Sequence, residues 1–346
     1  MRPPPFWDDS APRSSAALTR TLLSPLGAIY AAAGAWRIAR TRPAPAPLPV
    51  ICVGNLTLGG TGKTPVALAL IETAKAQGLK PAALTRGWGG SLTGPVRLDP
   101  ERHSVREAGD EALLLARKAP VYIDRGRVGG AQMAASAGAD ILVMDDGHQN
   151  PRLEKTLSIV VADAVSGWGP GTVFPAGPLR EPVAAGLARA DAVIVMAPDA
   201  DHAIDYARLG LDTLEIPVLK AWLEPQDAPP EGPLVAFAGI GRPQKFYDAL
   251  NAAGANLAET ASFPDHHVFT RRDLDALGDL AEAHDARLIT TEKDHVRLPD
   301  AFRAKVSVFP VRARLAEPAR LDALIEEALS RWRAAYTASE PSDSRA

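Results

Sequence analysis

The chain has 346 residues, of which 46% are hydrophobic, which is enough for sizeable cores and, by length, for two α/β domains rather than one. Its formal net charge of −3 gives no basic excess of the kind a nucleic-acid surface needs. The single cysteine, Cys52, excludes an internal disulfide and fits a reducing compartment; lying in the apolar run 50–53, it reads as a small core residue.

Residues 14–42 differ from the rest of the chain. An apolar stretch, 21–36, has Arg13 and Arg20 before it and Arg37, Arg40 and Arg42 after it. It contains Pro25 and falls short of the roughly 20 residues that span a bilayer. Three readings stay open: a signal peptide, a helix packed on protein, or a helix lying in a membrane interface with arginines at the headgroups. In the last, Trp7, Leu22, Leu26, Ile29, Tyr30 and Trp36 dip into lipid.

The β-branched run 48–53 predicts a buried strand. It feeds Gly54-Asn55-Leu56-Thr57-Leu58-Gly59-Gly60-Thr61-Gly62-Lys63-Thr64-Pro65, and a helical stretch, 66–77, comes next. Strand, glycine-rich loop, Lys-Thr and helix in that order form a phosphate-binding loop. Glycines let backbone N–H groups converge on phosphate oxygens, and the helix N-terminus adds partial positive charge. Lys63 suits the β- and γ-phosphates of ATP, and the Thr64 hydroxyl suits Mg²⁺. Thr57 stands where the usual pattern opens with glycine; Gly59 and Gly60 supply similar freedom. Thr57, Gly59, Gly60, Thr61, Gly62, Lys63 and Thr64 are the candidate nucleotide-binding residues.

A second apolar strand, 140–144, ends in Asp145-Asp146-Gly147-His148-Gln149. In a parallel sheet ligands gather at the carboxyl ends of strands, which brings this pair of aspartates to the phosphate loop, where such a carboxylate holds Mg²⁺. A P-loop ATPase acting as a switch or motor also fits the motifs to this point.

Further clusters narrow the choice. Arg86-Gly87-Trp88-Gly89-Gly90 follows the strand 81–84; Gly109-Asp110-Glu111 opens the helical stretch 112–118; Pro175-Ala176-Gly177-Pro178-Leu179-Arg180-Glu181 is a rigid loop. Asp265-His266-His267 and Thr291-Glu292-Lys293-Asp294 lie far downstream. With the Gly-Asn-Leu-Thr entry at 54–57, the Gly-Gly-Thr-Gly-Lys-Thr-Pro loop at 59–65 and the Asp-Asp-Gly at 145–147, eight motifs in order resemble the tetraacyldisaccharide 4′-kinases, the lipid A 4′-kinases, over about residues 25–329.

The resemblance implies an α/β fold: a P-loop kinase-type α/β/α domain with a second, smaller α/β/α domain joined by a two-stranded linker. Its boundaries would be a membrane-associating helical segment (1–42), the kinase domain (43–215), linker strands with the second domain (216–313), a C-terminal helix (314–336) and a disordered tail (337–346). Residues 216–223 and 306–313 are the linker candidates. It implies transfer of the ATP γ-phosphate to the 4′-hydroxyl of an acylated glucosamine disaccharide 1-phosphate, with Mg²⁺, by a peripheral protein on the cytoplasmic face of the inner membrane.

Carried over motif by motif, Asp110 becomes the catalytic base, His266 its partner and Lys63 the phosphate-binding cation. Thr64, Asp145, Asp146 and Glu181 become the metal set. Arg86, Trp88, Glu111, Arg127 and Arg180 address the substrate. Trp88 replaces the family's usual tyrosine: the ring still stacks on sugar, but the phenol hydrogen bond is gone. His148 stands where an aliphatic or aromatic residue is usual, and Asn150 where relatives often have histidine, so only hydrogen bonding is left at Asn150. His267 reads as structural. Two rivals stay open: a P-loop ATPase or regulatory module without a glycolipid acceptor, against which the Asp110 and His266 pair argues, and a soluble kinase of a polar metabolite, against which the arginine-flanked segment argues.

Overall fold

In the computed structural model, which describes residues 4–7 and 13–339, strands alternate with helices along most of the chain. The first eight strands are β1 (Val50–Gly54), β2 (Pro81–Thr85), β3 (Val96–Arg97), β4 (Val121–Ile123), β5 (Ile141–Asp145), β6 (Leu157–Asp163), β7 (Ala192–Ala197) and β8 (Val218–Pro225). Then come β9 (Pro233–Ala238), β10 (Asn256–Ser262), β11 (Arg287–Thr290), β12 (Val306–Val308) and β13 (Val311–Leu315).

Nine strands form one sheet in the order β13-β8-β7-β6-β1-β5-β2-β4-β3, parallel except for the antiparallel edges β3 and β13. The central strands β1, β5, β6 and β7 are buried along their whole length, as a parallel sheet covered on both faces requires. One face is covered by the helix Lys63–Ala76, through Val66, Leu70, Ile71 and Ala74, and by the helix Pro318–Ser339, through Leu321, Ile325 and Ala328. These spacings of three and four residues put each set on one helical stripe. Helices Val128–Ser136 and Val183–Leu187 cover the other face. Cys52 is fully buried in that core, and burial pushes its thiol up to about 11, so it packs as an inert apolar group.

The other four strands form a smaller parallel sheet, β10-β9-β11-β12. Phe246, Tyr247 and Leu250 of the helix Pro243–Ala252 fill one face, and Leu277 of Arg271–Ala283 fills the other. The fold is therefore mixed α/β with two layered sheets. Strand β8 leads out of the large sheet and β13 returns to it, pairing antiparallel with β8. The stretch 306–313, expected as one linker strand, is two: β12 pairs with β11 in the small sheet and β13 with β8 in the large one. Pro310 lies between them, and a proline has no N–H to give to a continuous ladder.

The N-terminal stretch is one helix, Arg13–Arg40, with Pro25 inside it. It rests on the loop before β7: Tyr30 meets Phe174 edge-on, and an added Cβ at Gly27 would lie 2.8 Å from the Val173 carbonyl oxygen. Leu18, Leu22, Leu26, Ile29 and Trp36 stand exposed at steps of three, four and seven residues, so they share one outward stripe. Trp7 does not join them. Its Nε1–H donates to the Pro175 carbonyl at 3.1 Å and its ring packs against Phe174, because a half-buried indole N–H takes a partner inside the protein. Among the described residues no helix is long and apolar enough to cross a membrane. The C-terminal helix runs on to Ser339, so the tail expected from 337 starts within it, and 340–346 lie outside the described residues.

Candidate active site

The register of β1 on β5 sets Val53 opposite Asp145, so the glycine-rich loop and the paired aspartates leave the sheet side by side. The loop turns into the helix Lys63–Ala76 at Gly62, whose φ of +90° is a left-handed conformation open to glycine at little cost. Buried Asn55 braces the loop by donating its side-chain amide to the Thr57 carbonyl (2.8 Å) and the Gly59 carbonyl (3.3 Å). Thr57, the residue in place of the pattern's first glycine, also laces the loop to the segment 175–181. Its carbonyl accepts from Arg180 Nε at 3.2 Å, while the Leu58 amide donates to the Pro178 carbonyl.

Lys63 Nζ lies 3.8 Å from Asp146 Oδ1, and Arg180 Nη1 donates to the same oxygen at 2.7 Å. Burial pushes the Asp146 carboxyl up, but Lys63 and Arg180 more than offset it and hold it below its ordinary value. Asp145 differs. Its Oδ2 accepts from the Thr64 hydroxyl at 3.4 Å, and its buried Oδ1 has no hydrogen-bond partner. Burial first, then the Glu111 charge, push the Asp145 carboxyl up, which marks a site short of positive charge. A carboxylate oxygen orphaned beside a phosphate loop and a threonine hydroxyl is a donor set that suits a hard divalent cation. Asp145 and Thr64 therefore fit Mg²⁺.

Glu181 has partners of its own. Arg189 Nη2 grips both its oxygens (2.8 and 2.7 Å) and Gln149 Nε2 donates to one at 2.9 Å. Among the described residues no group of three or more His, Cys, Asp or Glu is gathered to hold a metal, and Glu181 already has its positive partner. Arg127 is 2% exposed, with Nη1 donating to the Asp124 carbonyl (2.7 Å) and Nη2 to the Asp146 carbonyl (3.4 Å). The structure places it against the Asp146 backbone.

Asp110 opens the helix Asp110–Ala116. Its carboxylate is 3% exposed, with Oδ2 at 3.0 Å from His266 Nδ1, so two residues 156 apart in sequence meet across the two sheets. Gly109, at φ +82°, makes the approach possible: a Cβ there would collide with the Trp88 carbonyl oxygen. Arg86 and Trp88, on the loop after β2, reach solvent here, the guanidinium 5.0 Å from the indole centroid. Glu111 shares Lys293 with Asp110, at 4.0 and 3.9 Å respectively.

A sequence profile of the tetraacyldisaccharide-1-P 4′-kinases matches residues 19–330. A tetraacyldisaccharide 4′-kinase of Maricaulis maris is 55% identical over 95% of this chain and 97% of its own length. That of Phenylobacterium zucineum is 52% identical over 93% and 98%. The crystal structure of LpxK from Aquifex aeolicus, solved in complex with ATP, superimposes with a TM-score of 0.72 at 25% identity, covering 90% of this chain and 99% of its own. The chain belongs to the tetraacyldisaccharide 4′-kinase family. It is a kinase of lipid A biosynthesis, acting at the 4′ position of a tetraacyldisaccharide.

Within this family frame, three residues that sequence reading passed over hold the site together. Arg297 donates to Asp110 through Nε at 2.8 Å and also through Nη2. Gln149 bridges the Asn55 carbonyl and Glu181. Arg189 neutralises Glu181. Arg297 had one local signal, its place three residues after Asp294, and Gln149 had its place at the end of the run 145–148; Arg189 had none.

Two further imidazoles, those of His148 and His267, are held by hydrogen bonds and ring contacts. His148 is buried; its Nε2 faces the Gly186 carbonyl at 2.9 Å and must carry the proton, so Nδ1 accepts from the Ser158 hydroxyl at 2.9 Å. Burial pushes it down to about 4, which keeps it neutral. A Cβ on Gly54 would collide with it. Asn150 Oδ1 caps the Arg152 amide, and His267 stacks on Phe263 at 4.9 Å while pairing with Asp273.

Proposed function

We propose that this chain transfers the γ-phosphate of ATP to the 4′-hydroxyl of a tetraacylated glucosamine disaccharide 1-phosphate, with Mg²⁺, as a peripheral protein on the cytoplasmic face of the inner membrane. One observation supports the mechanistic reading: Asp110 and His266 pair at 3.0 Å across the two sheets, next to the exposed loop of Arg86 and Trp88, while the phosphate loop leaves β1 of the large sheet. A nucleotide switch needs no such pair.

In this reading the loop 57–64 wraps the phosphates with backbone amides, and Lys63 leaves Asp146 for the γ-phosphate. Thr64 and Asp145, with Asp146 close by, would hold Mg²⁺, which supplies charge neutralisation on the transferring group. Asp110 accepts the acceptor proton on Oδ1, whose hydrogen bond in this structure comes from the Glu111 amide at 2.9 Å, while Oδ2 is occupied by His266 and Arg297. A weakly basic carboxylate serves, since in a loose phosphoryl transition state bond formation to the acceptor is little advanced. Arg86 and Trp88 would meet the sugar and its phosphate from the exposed loop. Glu111 and Lys293 border the same opening, and Arg127 and Arg180 act through Asp146.

On the same reading, residues 43–215 are the kinase body, 216–313 are the linker and second domain delivering His266, and 1–42 are the membrane-associating segment. The exposed stripe on Arg13–Arg40 supports that segment, with Arg37, Arg40 and Arg42 exposed at one end. An apolar groove of about 370 Å³, lined by Ala31, Ala35 and Ile38 on one side and Pro182 and Ala185 on the other, lies beside Glu181, where it suits an acyl chain. The test is incubation with radiolabelled ATP and a lipid extract, scored by which lipid gains label. Label on a tetraacyldisaccharide 1-phosphate supports the reading; ATP hydrolysis indifferent to added glycolipid refutes it.

A further inference from the structure

Arg297 follows the helix Glu292–His295 of the small-sheet half, and its side chain is 4% exposed. The guanidinium serves three acceptors at once. Nε (2.8 Å) and Nη2 both donate to Asp110 Oδ2, and Nη1 donates to the Gly239 carbonyl (2.8 Å) and to Asp294 Oδ1 (2.9 Å). Asp294 is itself fully buried and takes the Thr291 hydroxyl at 2.7 Å. Asp110 belongs to the large-sheet half, whereas Gly239 and Asp294 belong to the small-sheet half. A rigid planar fork with fixed donor directions is the side chain suited to join them.

We propose that Arg297 is a positioning residue for the base: it pins Asp110 Oδ2 from the second domain and thereby presents Oδ1 to the acceptor hydroxyl. This rests on the reading of Asp110 as the base. The crowding on Oδ2 is the decisive feature. His266 Nδ1, Arg297 Nε and Nη2 all converge on that oxygen, and Lys293 Nζ stands 3.9 Å from it. Lys293 is shared with Glu111 and Asp265, and His266 Nε2 lies 3.9 Å from Asp265. Of the two oxygens, Oδ1 carries a backbone amide instead of a cation.

Burial by itself raises the Asp110 carboxyl, and the His266 hydrogen bond, Lys293 and Arg297 bring it well below the ordinary range. Arg297 therefore does two separable things: its charge adds to those of His266 and Lys293 in offsetting the burial of Asp110, and its two N–H groups fix the carboxylate in place.

The test is kcat and KM for detergent-dispersed tetraacyldisaccharide 1-phosphate at saturating ATP for the full chain, R297Q, R297K and D110N. In R297Q kcat is expected to fall by about 10²-fold with KM for the lipid unchanged, since a misplaced base costs the transition state and not substrate binding. R297K keeps the charge but not the two-pronged bond, so it recovers part of that loss and stays roughly tenfold below wild type. An R297Q kcat equal to wild type, or a loss carried by KM alone, overturns the proposal. Should R297Q fail to fold, with two buried carboxylates short of a charge, R297K decides: wild-type kcat overturns it, and lowered kcat with KM unchanged supports it. D110N separates the two readings. Full activity in D110N refutes the base, whereas an inactive D110N beside a wild-type-like R297Q refutes only the role of Arg297.

Discussion

The helix Arg13–Arg40 offers a membrane prediction whose size can be worked from exposure. Leu22 and Ile29 are 70% and 66% exposed and lie seven residues apart on one stripe. Fully burying such a side chain is worth about 1.5–3 kcal/mol, so transferring two-thirds of each into lipid contributes about 1–2 kcal/mol apiece. The pair Leu22→Glu and Ile29→Glu should therefore weaken binding by about 2–4 kcal/mol, roughly 30- to 700-fold at about 1.4 kcal/mol per tenfold. Each new carboxylate also faces an anionic surface, which adds to the loss. The assay is cosedimentation with phosphatidylethanolamine–phosphatidylglycerol vesicles over a lipid titration. Because neither side chain enters a core, the melting temperature and kcat toward detergent-dispersed acceptor should stay at wild-type values. Vesicle binding by the double variant equal to wild type would refute the reasoning, and so would a lowered melting temperature, since that makes the stripe a packing surface.

The site and the sheets set further outcomes. Asp110→Ala should lower kcat by about 10²–10⁴-fold with ATP binding retained, measured by steady-state kinetics and nucleotide titration. Lys63→Ala should abolish transfer; phosphorylation at the normal rate would remove the phosphate loop from the mechanism. Gly109→Ala forces a left-handed backbone onto alanine and a Cβ into the Trp88 carbonyl, so denaturant unfolding should show a loss of about 2–4 kcal/mol, with kcat falling because Asp110 moves. Asp163, at the end of β6, is paired with Arg242 and Lys245 of the small-sheet half. Burial raises its carboxyl, but the Ser166 amide and those two cations outweigh it and bring it from 3.8 down to about 2. A depressed carboxylate stabilises above its unfolded value and loses that contribution as pH falls from near 4 toward 2. Asp163→Asn should thus cost about 1–2 kcal/mol at pH 7, discounted because both cations are partly exposed, and the difference from wild type should close in that acid window.

Local chemistry makes much of this chain legible in one dimension. The phosphate loop is readable because strand, glycines, Lys63-Thr64 and helix are contiguous, and each part answers a requirement of phosphate binding within a dozen residues. The apolar runs of β1 and β5 announce a buried parallel sheet, and strand order then has to bring Asp145 to the loop. The misread places are those where a partner far along the chain decides. Residues 306–313 look like one apolar strand, but Pro310 breaks the ladder and the halves pair in different sheets. Trp7 looks like an interfacial aromatic, yet the Pro175 carbonyl claims its N–H. Glu181 and Arg127 are a different case: their chemistry is legible in the sequence, and packing adds the contacts with Arg189 and the Asp146 backbone that no local pattern announces.

By itself, then, the sequence determined the fold class, the nucleotide cradle and the family, since these are written in short-range patterns of glycine, apolar period and charge. Tertiary structure alone decided what state Asp110 is in. Hydrogen bonds and charge fall off within a few ångströms, and the groups that set that carboxylate — His266, Lys293 and Arg297 — come from a second sheet more than 150 residues away in sequence.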